Sequence, residues 1–88
     1  MPYIKKDDRP DIDDLINPLI EYMKKQKVED VDGKINYAVT RILKGVYQPK
    51  YFNYNRAIGV LESMKQEFYR KVVGPYEDEK IKENGDVE

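Results

Sequence analysis

Apolar residues along this chain recur three and four positions apart, and no window alternates with the period of a strand. Ile12, Leu15, Ile16, Leu19, Ile20 and Met23 form one such stripe and predict a first helix over 11–27. Asp11, Asp13 and Asp14 lie in its first turns and Lys24, Lys25 and Lys27 in its last, the order the helix dipole favours. Pro18 falls inside the stripe, where it removes a backbone donor and crowds the preceding turn. The stripe keeps its phase across Asn17-Pro18, so the expectation is one kinked helix rather than two. Asp30, Asp32 and Gly33 read as breakers, making 28–33 a turn with Asp32 as the cap of a second helix over 34–46. Ile35, Ala38, Val39, Ile42, Leu43 and Val46 supply the apolar side of that helix.

Tyr47, Tyr51, Phe52 and Tyr54 crowd a short stretch around Pro49, which reads as an aromatic loop. Asn53 or Asn55 then caps a long third helix over 54–73, with Ala57, Ile58, Leu61, Met64, Phe68 and Val72 as its core arc. A second line runs through Asn55, Gly59, Glu62, Gln66, Tyr69 and Val73 along one flank of that arc. Gly59 stands out, because a mid-helix glycine costs about 1 kcal/mol against alanine and is kept where another backbone or a ligand comes close. Gly74-Pro75 is expected to stop the helix, and a short acidic helix over 75–84 to end at Gly85. The fold class is therefore all-α: one domain over 1–88, a small three-helix bundle with an N-terminal arm over 1–10 and a short C-terminal helix. Its core of about twenty apolar side chains is thin, which points to a homodimer sharing helix three, with Gly59 at the close approach.

Composition narrows the chemistry. The 88 residues contain neither cysteine nor histidine, which removes thiol chemistry, disulfides and the commonest general base and transition-metal ligand. Charged residues make up 38% of the chain, yet the net charge is −1, unlike a protein built to grip phosphate backbones. No apolar run approaches the roughly 20 residues of a membrane span, and no apolar leader opens the chain, so a cytoplasmic location is expected.

Several strings carry a resemblance: Met1-Pro2-Tyr3-Ile4, Asn36-Tyr37-Ala38-Val39-Thr40-Arg41, and Asn55 with Ala57-Ile58-Gly59-Val60-Leu61-Glu62. Lys65-Gln66-Glu67-Phe68-Tyr69-Arg70 and Pro75-Tyr76-Glu77-Asp78-Glu79-Lys80-Ile81, closing in Asn84-Gly85-Asp86-Val87, complete it. Together they resemble a family of short uncharacterised proteins of bacteria, archaea and their phages, across nearly the whole chain. The resemblance implies a free-standing helical domain and supplies no catalytic residue and no cofactor. Family members usually carry an arginine where Lys71 stands and an alanine where Gly74 stands.

Three functions compete. The favoured one is a non-enzymatic interaction or structural module, homodimeric or bound to a protein partner. Its interaction candidates are Asn55, Gly59, Glu62, Gln66, Tyr69, Arg70, Tyr76, Glu77 and Asp78. The second is a nucleic-acid accessory protein stacking bases on the aromatic loop, with Arg41, Lys44, Lys50 and Arg56 nearby in sequence. The simpler expectation for those rings is that they plug one end of the bundle. The third is a magnesium-dependent nucleotide hydrolase, in which Glu62, Gln66 and Glu67 meet Glu77, Asp78 and Glu79 on a tail that folds back. It is disfavoured because Lys65, not an acid, follows Glu62 by three; Glu62 is expected to pair with Lys65 or Gln66 instead. Arg70 is expected to pair with Glu67 or Glu77, and no residue is assigned a catalytic or metal-binding role.

Overall fold

A computed structural model describes residues 4–87, and the opening Met1-Pro2-Tyr3 string lies outside them. Among the described residues every regular element is helical. A short 3-10 turn, Lys6–Asp8, precedes α1 (Pro10–Lys24), α2 (Val28–Val46), α3 (Tyr51–Phe68) and α4 (Gly74–Asn84). The chain divides into two compact units, one reaching Lys50 and the other beginning at Tyr51.

In the first unit, Pro10 opens α1 near its N-terminus, where a missing N–H costs nothing because that donor has no partner in the helix anyway. Arg9 donates from Nε to the Ile4 carbonyl at 3.0 Å, tying the arm to the helix start. α1 runs through Pro18 as one helix and ends at Lys24, earlier than 11–27. The end is closed by Gln26, whose amide reaches back to the Tyr22 carbonyl at 2.9 Å, while the Lys25 N–H bonds the same carbonyl at 3.2 Å. Lys27 is extended, at φ −68° and ψ 149°, and its carbonyl accepts from the N–H groups of Asp30 and Val31, both at 3.0 Å.

These bonds start α2 at Val28, so the expected turn over 28–33 is instead helix and Lys27, not Asp32, is the cap residue. The reason is electrostatic. Glu29 and Asp30 fall in the first turn, where the helix dipole rewards acids, and one glycine at position 33 is tolerated inside a helix.

In the second unit, α3 begins at Tyr51, earlier than the expected 54 and without Asn53 or Asn55 as its first residue. Pro49 excludes only the turn before itself, and Asn53 uses its side-chain oxygen to accept from Arg56 at 3.4 Å. Gly74-Pro75 does not stop the helix. Tyr69–Val73 form one π turn, and α4 follows directly, giving a joined helical run from Tyr51 to Asn84. Pro75 explains this turn physically. A proline has no N–H for the regular ladder and its ring crowds the carbonyl one turn back, and a local widening relieves both. The Gly74 N–H donates instead to the Tyr69 carbonyl, and a Cβ at Gly74 would stand 3.3 Å from that same oxygen. The run ends at Gly85, whose φ of 86° is strained for any residue with a side chain.

The expected core is not enclosed. Of the arc on α3 only Ala57 is buried, at 8% exposure, whereas Ile58 is 65% and Phe68 61% exposed. Met64 and Val72 are exposed as well, and Leu61 is half-buried. In α1, Ile16, Leu19 and Met23 are half-buried, whereas Leu15 is 80% exposed. Neither a helix pair nor a single helical run closes a core by itself.

Pro18 is exposed inside α1, and replacing it by alanine restores a helical donor. Pro18→Ala should stabilise the chain by up to about 3 kcal/mol, read as a rise in the urea midpoint.

Candidate functional site

The flank predicted on the third helix lies on the Tyr51–Asn84 run, and Glu62, Gln66 and Tyr69 along it are held by neighbouring side chains. Glu62 accepts from Gln66 at 3.2 Å and pairs with Lys65 at 3.2 Å. The Gln66 bond, then the Lys65 bond and charge, hold the Glu62 carboxyl below its ordinary pKa. Arg70 pairs with Glu67 at 2.7 Å, one of the two partners expected for it. The Tyr69 hydroxyl donates to Glu77 at 2.5 Å, spanning the π turn and joining α3 to α4. That bond, and the carboxylate charge behind it, raise the Tyr69 phenol above its ordinary value of 10.0. A hollow of about 440 Å³ lies beside this joint, lined by Lys65, Gln66, Glu67, Tyr69 and Arg70.

Asn55, Tyr76 and Asp78 are exposed, with the Lys80 ammonium 5.5 Å from the centre of the Tyr76 ring. Gly59 has open space where a Cβ would be, with no atom of the described residues within 4 Å, so no described segment makes the close approach that its glycine suggested.

The aromatic loop is largely helix. Tyr51, Phe52 and Tyr54 belong to the first turns of α3, and only Tyr47 lies outside an element. All three helical rings are exposed, Tyr51 at 80%, so they do not plug a core. Tyr51 and Tyr54, three positions apart, share one side of α3, whereas Phe52 lies about 100° round from Tyr51. The Arg56 guanidinium sits 5.8 Å from the Phe52 ring centre. The acids proposed for magnesium are not gathered, because α4 extends the run instead of folding back along α3. Among the described residues no group of three or more acids is placed to hold a metal.

A feature that the sequence pattern left unmarked lies in the first unit. α1 and α2 bound a groove of about 560 Å³, with Leu19, Met23 and Ala38 among its apolar lining. Tyr22, Tyr37, Asp30, Lys34 and Arg41 supply its polar groups. The Lys34 ammonium donates to the Tyr22 hydroxyl at 3.1 Å and to the Gln26 side-chain oxygen, and lies 5.2 Å from the Tyr22 ring centre. Thr40 donates to Asn36 at 3.5 Å, an internal bond of α2. The spacing of Lys34 and Arg41, about two turns apart, was a usable signal, but it pointed nowhere until α2 was seen to begin at Val28.

These features define an all-helical protein with open apolar and aromatic surface on one long run and a cation-edged groove between two shorter helices. No helix among the described residues is long and apolar enough to cross a membrane. The chain belongs to the family described as Domain of unknown function (DUF6899), whose model matches residues 1–87. No curated protein and no solved structure matches the chain.

Two outcomes test the flank. Because the phenol is raised, the Tyr69–Glu77 bond is fully present below the ordinary tyrosine pKa and is lost as pH rises through the raised value. Tyr69→Phe should therefore remove a step above the ordinary tyrosine value from a tyrosinate absorbance titration. Gly59→Ala should stabilise an isolated chain by about 1 kcal/mol in thermal melts, since nothing among the described residues opposes the added methyl. A loss instead would locate a close neighbour contributed by another molecule.

Proposed function

We propose that this protein is a non-enzymatic interaction or structural module that self-associates as a homodimer through the Tyr51–Asn84 run. The observation that carries the reading is the openness of that run: Ile58, Met64, Phe68 and Val72 share its apolar arc and all are exposed. Burying a side chain of this kind is worth about 1.5–3 kcal/mol, so an apolar stripe of this length favours a partner surface over water. A three-helix bundle completed within such a dimer would enclose what one copy leaves open. The open space at Gly59 supports a backbone of the second copy passing there. A cytoplasmic location and a prokaryotic or phage setting belong to the same proposal, supported by the family resemblance and the absence of a spanning helix among the described residues.

A second reading draws on the exposed rings of α3. Tyr51, Phe52 and Tyr54 beside Lys50 and Arg56 support stacking of single-stranded nucleic acid, which their exposure favours over a plugging role. Binding of that kind weakens steeply with salt, so a flat salt response or no retention of oligonucleotides at low salt would exclude it.

Light scattering coupled to size exclusion decides the first reading. At micromolar concentration the wild type should elute at twice the chain mass, and Phe68→Asp should give a monomer of unchanged helicity. A wild-type chain that stays monomeric under those conditions would remove the proposal.

A further inference from the structure

We infer that the α1–α2 groove is a binding site for a small organic anion with an apolar body, such as an aryl carboxylate. The proposal is independent of the dimer reading, since every residue it uses lies in the first unit.

Size fits first: about 560 Å³ falls within the range of small-molecule pockets, and Leu19, Met23 and Ala38 offer an apolar lining. Charge comes next. Lys34 is half-buried, and its hydrogen-bond partners, the Tyr22 hydroxyl and the Gln26 amide oxygen, are both neutral. Arg41 makes no hydrogen bond, ion pair or ring contact with any described residue. Asp30 also lines the groove but forms no ion pair with either cation among the described residues. Two cations next to apolar surface, neither neutralised by a direct ion pair, complement a carboxylate attached to an apolar group. The guanidinium of Arg41 suits it particularly, because its planar donors match a carboxylate in pairs. The rings of Tyr22 and Tyr37 flank the same space and suit an aryl body.

Phenylpropanoate is the probe, titrated into the isotope-labelled full chain and followed by amide and tyrosine-ring chemical shifts. Saturable shifts at Tyr22, Lys34, Tyr37 and Arg41 are expected, with phenylpropanol, the neutral counterpart, binding about tenfold more weakly. Arg41→Gln should weaken the carboxylate about tenfold and leave the alcohol unchanged, while Arg41→Lys retains part of the affinity. Equal affinity for acid and alcohol in the wild type would overturn the inference without reliance on any variant. So would shifts confined to α3, or saturation by a glutamate-rich amphipathic peptide but not by phenylpropanoate, which would assign the groove to a protein partner.

Discussion

The backbone of this protein is satisfied locally while its apolar side chains are not. In each long element the helical ladder meets N–H with C=O one turn away, so the elements need little from distant parts of the chain to be defined. Burial does not follow. Ala57 alone is buried among the described apolar residues, and the stripes of α1, α2 and α3 keep much of their surface in water. Helical amphipathicity creates a demand for a facing surface, and the tension between secured backbone and uncovered side chains governs the rest of the molecule.

The same local logic shapes the joint at Tyr69–Val73. Pro75 cannot donate, yet the run does not end; it widens by one π turn and restarts, with Gly74 bonded to the Tyr69 carbonyl. The bond from Tyr69 to Glu77 then crosses the widened turn from the side. A Cβ at Gly74 would approach the Tyr69 oxygen to 3.3 Å, which gives the glycine a physical reason at this joint. An alanine would press on the carbonyl that the π turn brings close.

Charges along α3 and α4 are largely committed to neighbours one turn away: Glu62 to Lys65, Arg70 to Glu67, Lys80 to Glu83 and Lys82 to Glu79. Exposed pairs of this kind contribute little to stability and leave the apolar side of the run as its distinctive surface. The groove in the first unit differs, because among the described residues neither Lys34 nor Arg41 forms an ion pair. One unit thus offers an apolar face and the other a small charged recess, two surfaces of different chemistry on one short chain.

The helical class, the amphipathic stripes and the stop at Gly85 were legible in the sequence because each depends on residues within a turn or two. Local pairings such as Glu62 with Lys65 and Gln66 were legible for the same reason. Boundaries at Val28, Tyr51 and Gly74 were not, since dipole-favoured acids, a side chain diverted to Arg56 and a π turn each outweighed the usual meaning of Asp, Asn and Gly-Pro. Burial was misjudged as well: a periodic stripe states which face seeks cover, and only the placement of other helices decides whether cover exists. The α1–α2 groove belongs to that second kind of information. Tyr22, Lys34, Tyr37 and Arg41 are spread over two helices, and it took the turn at 25–27 to bring them around one space.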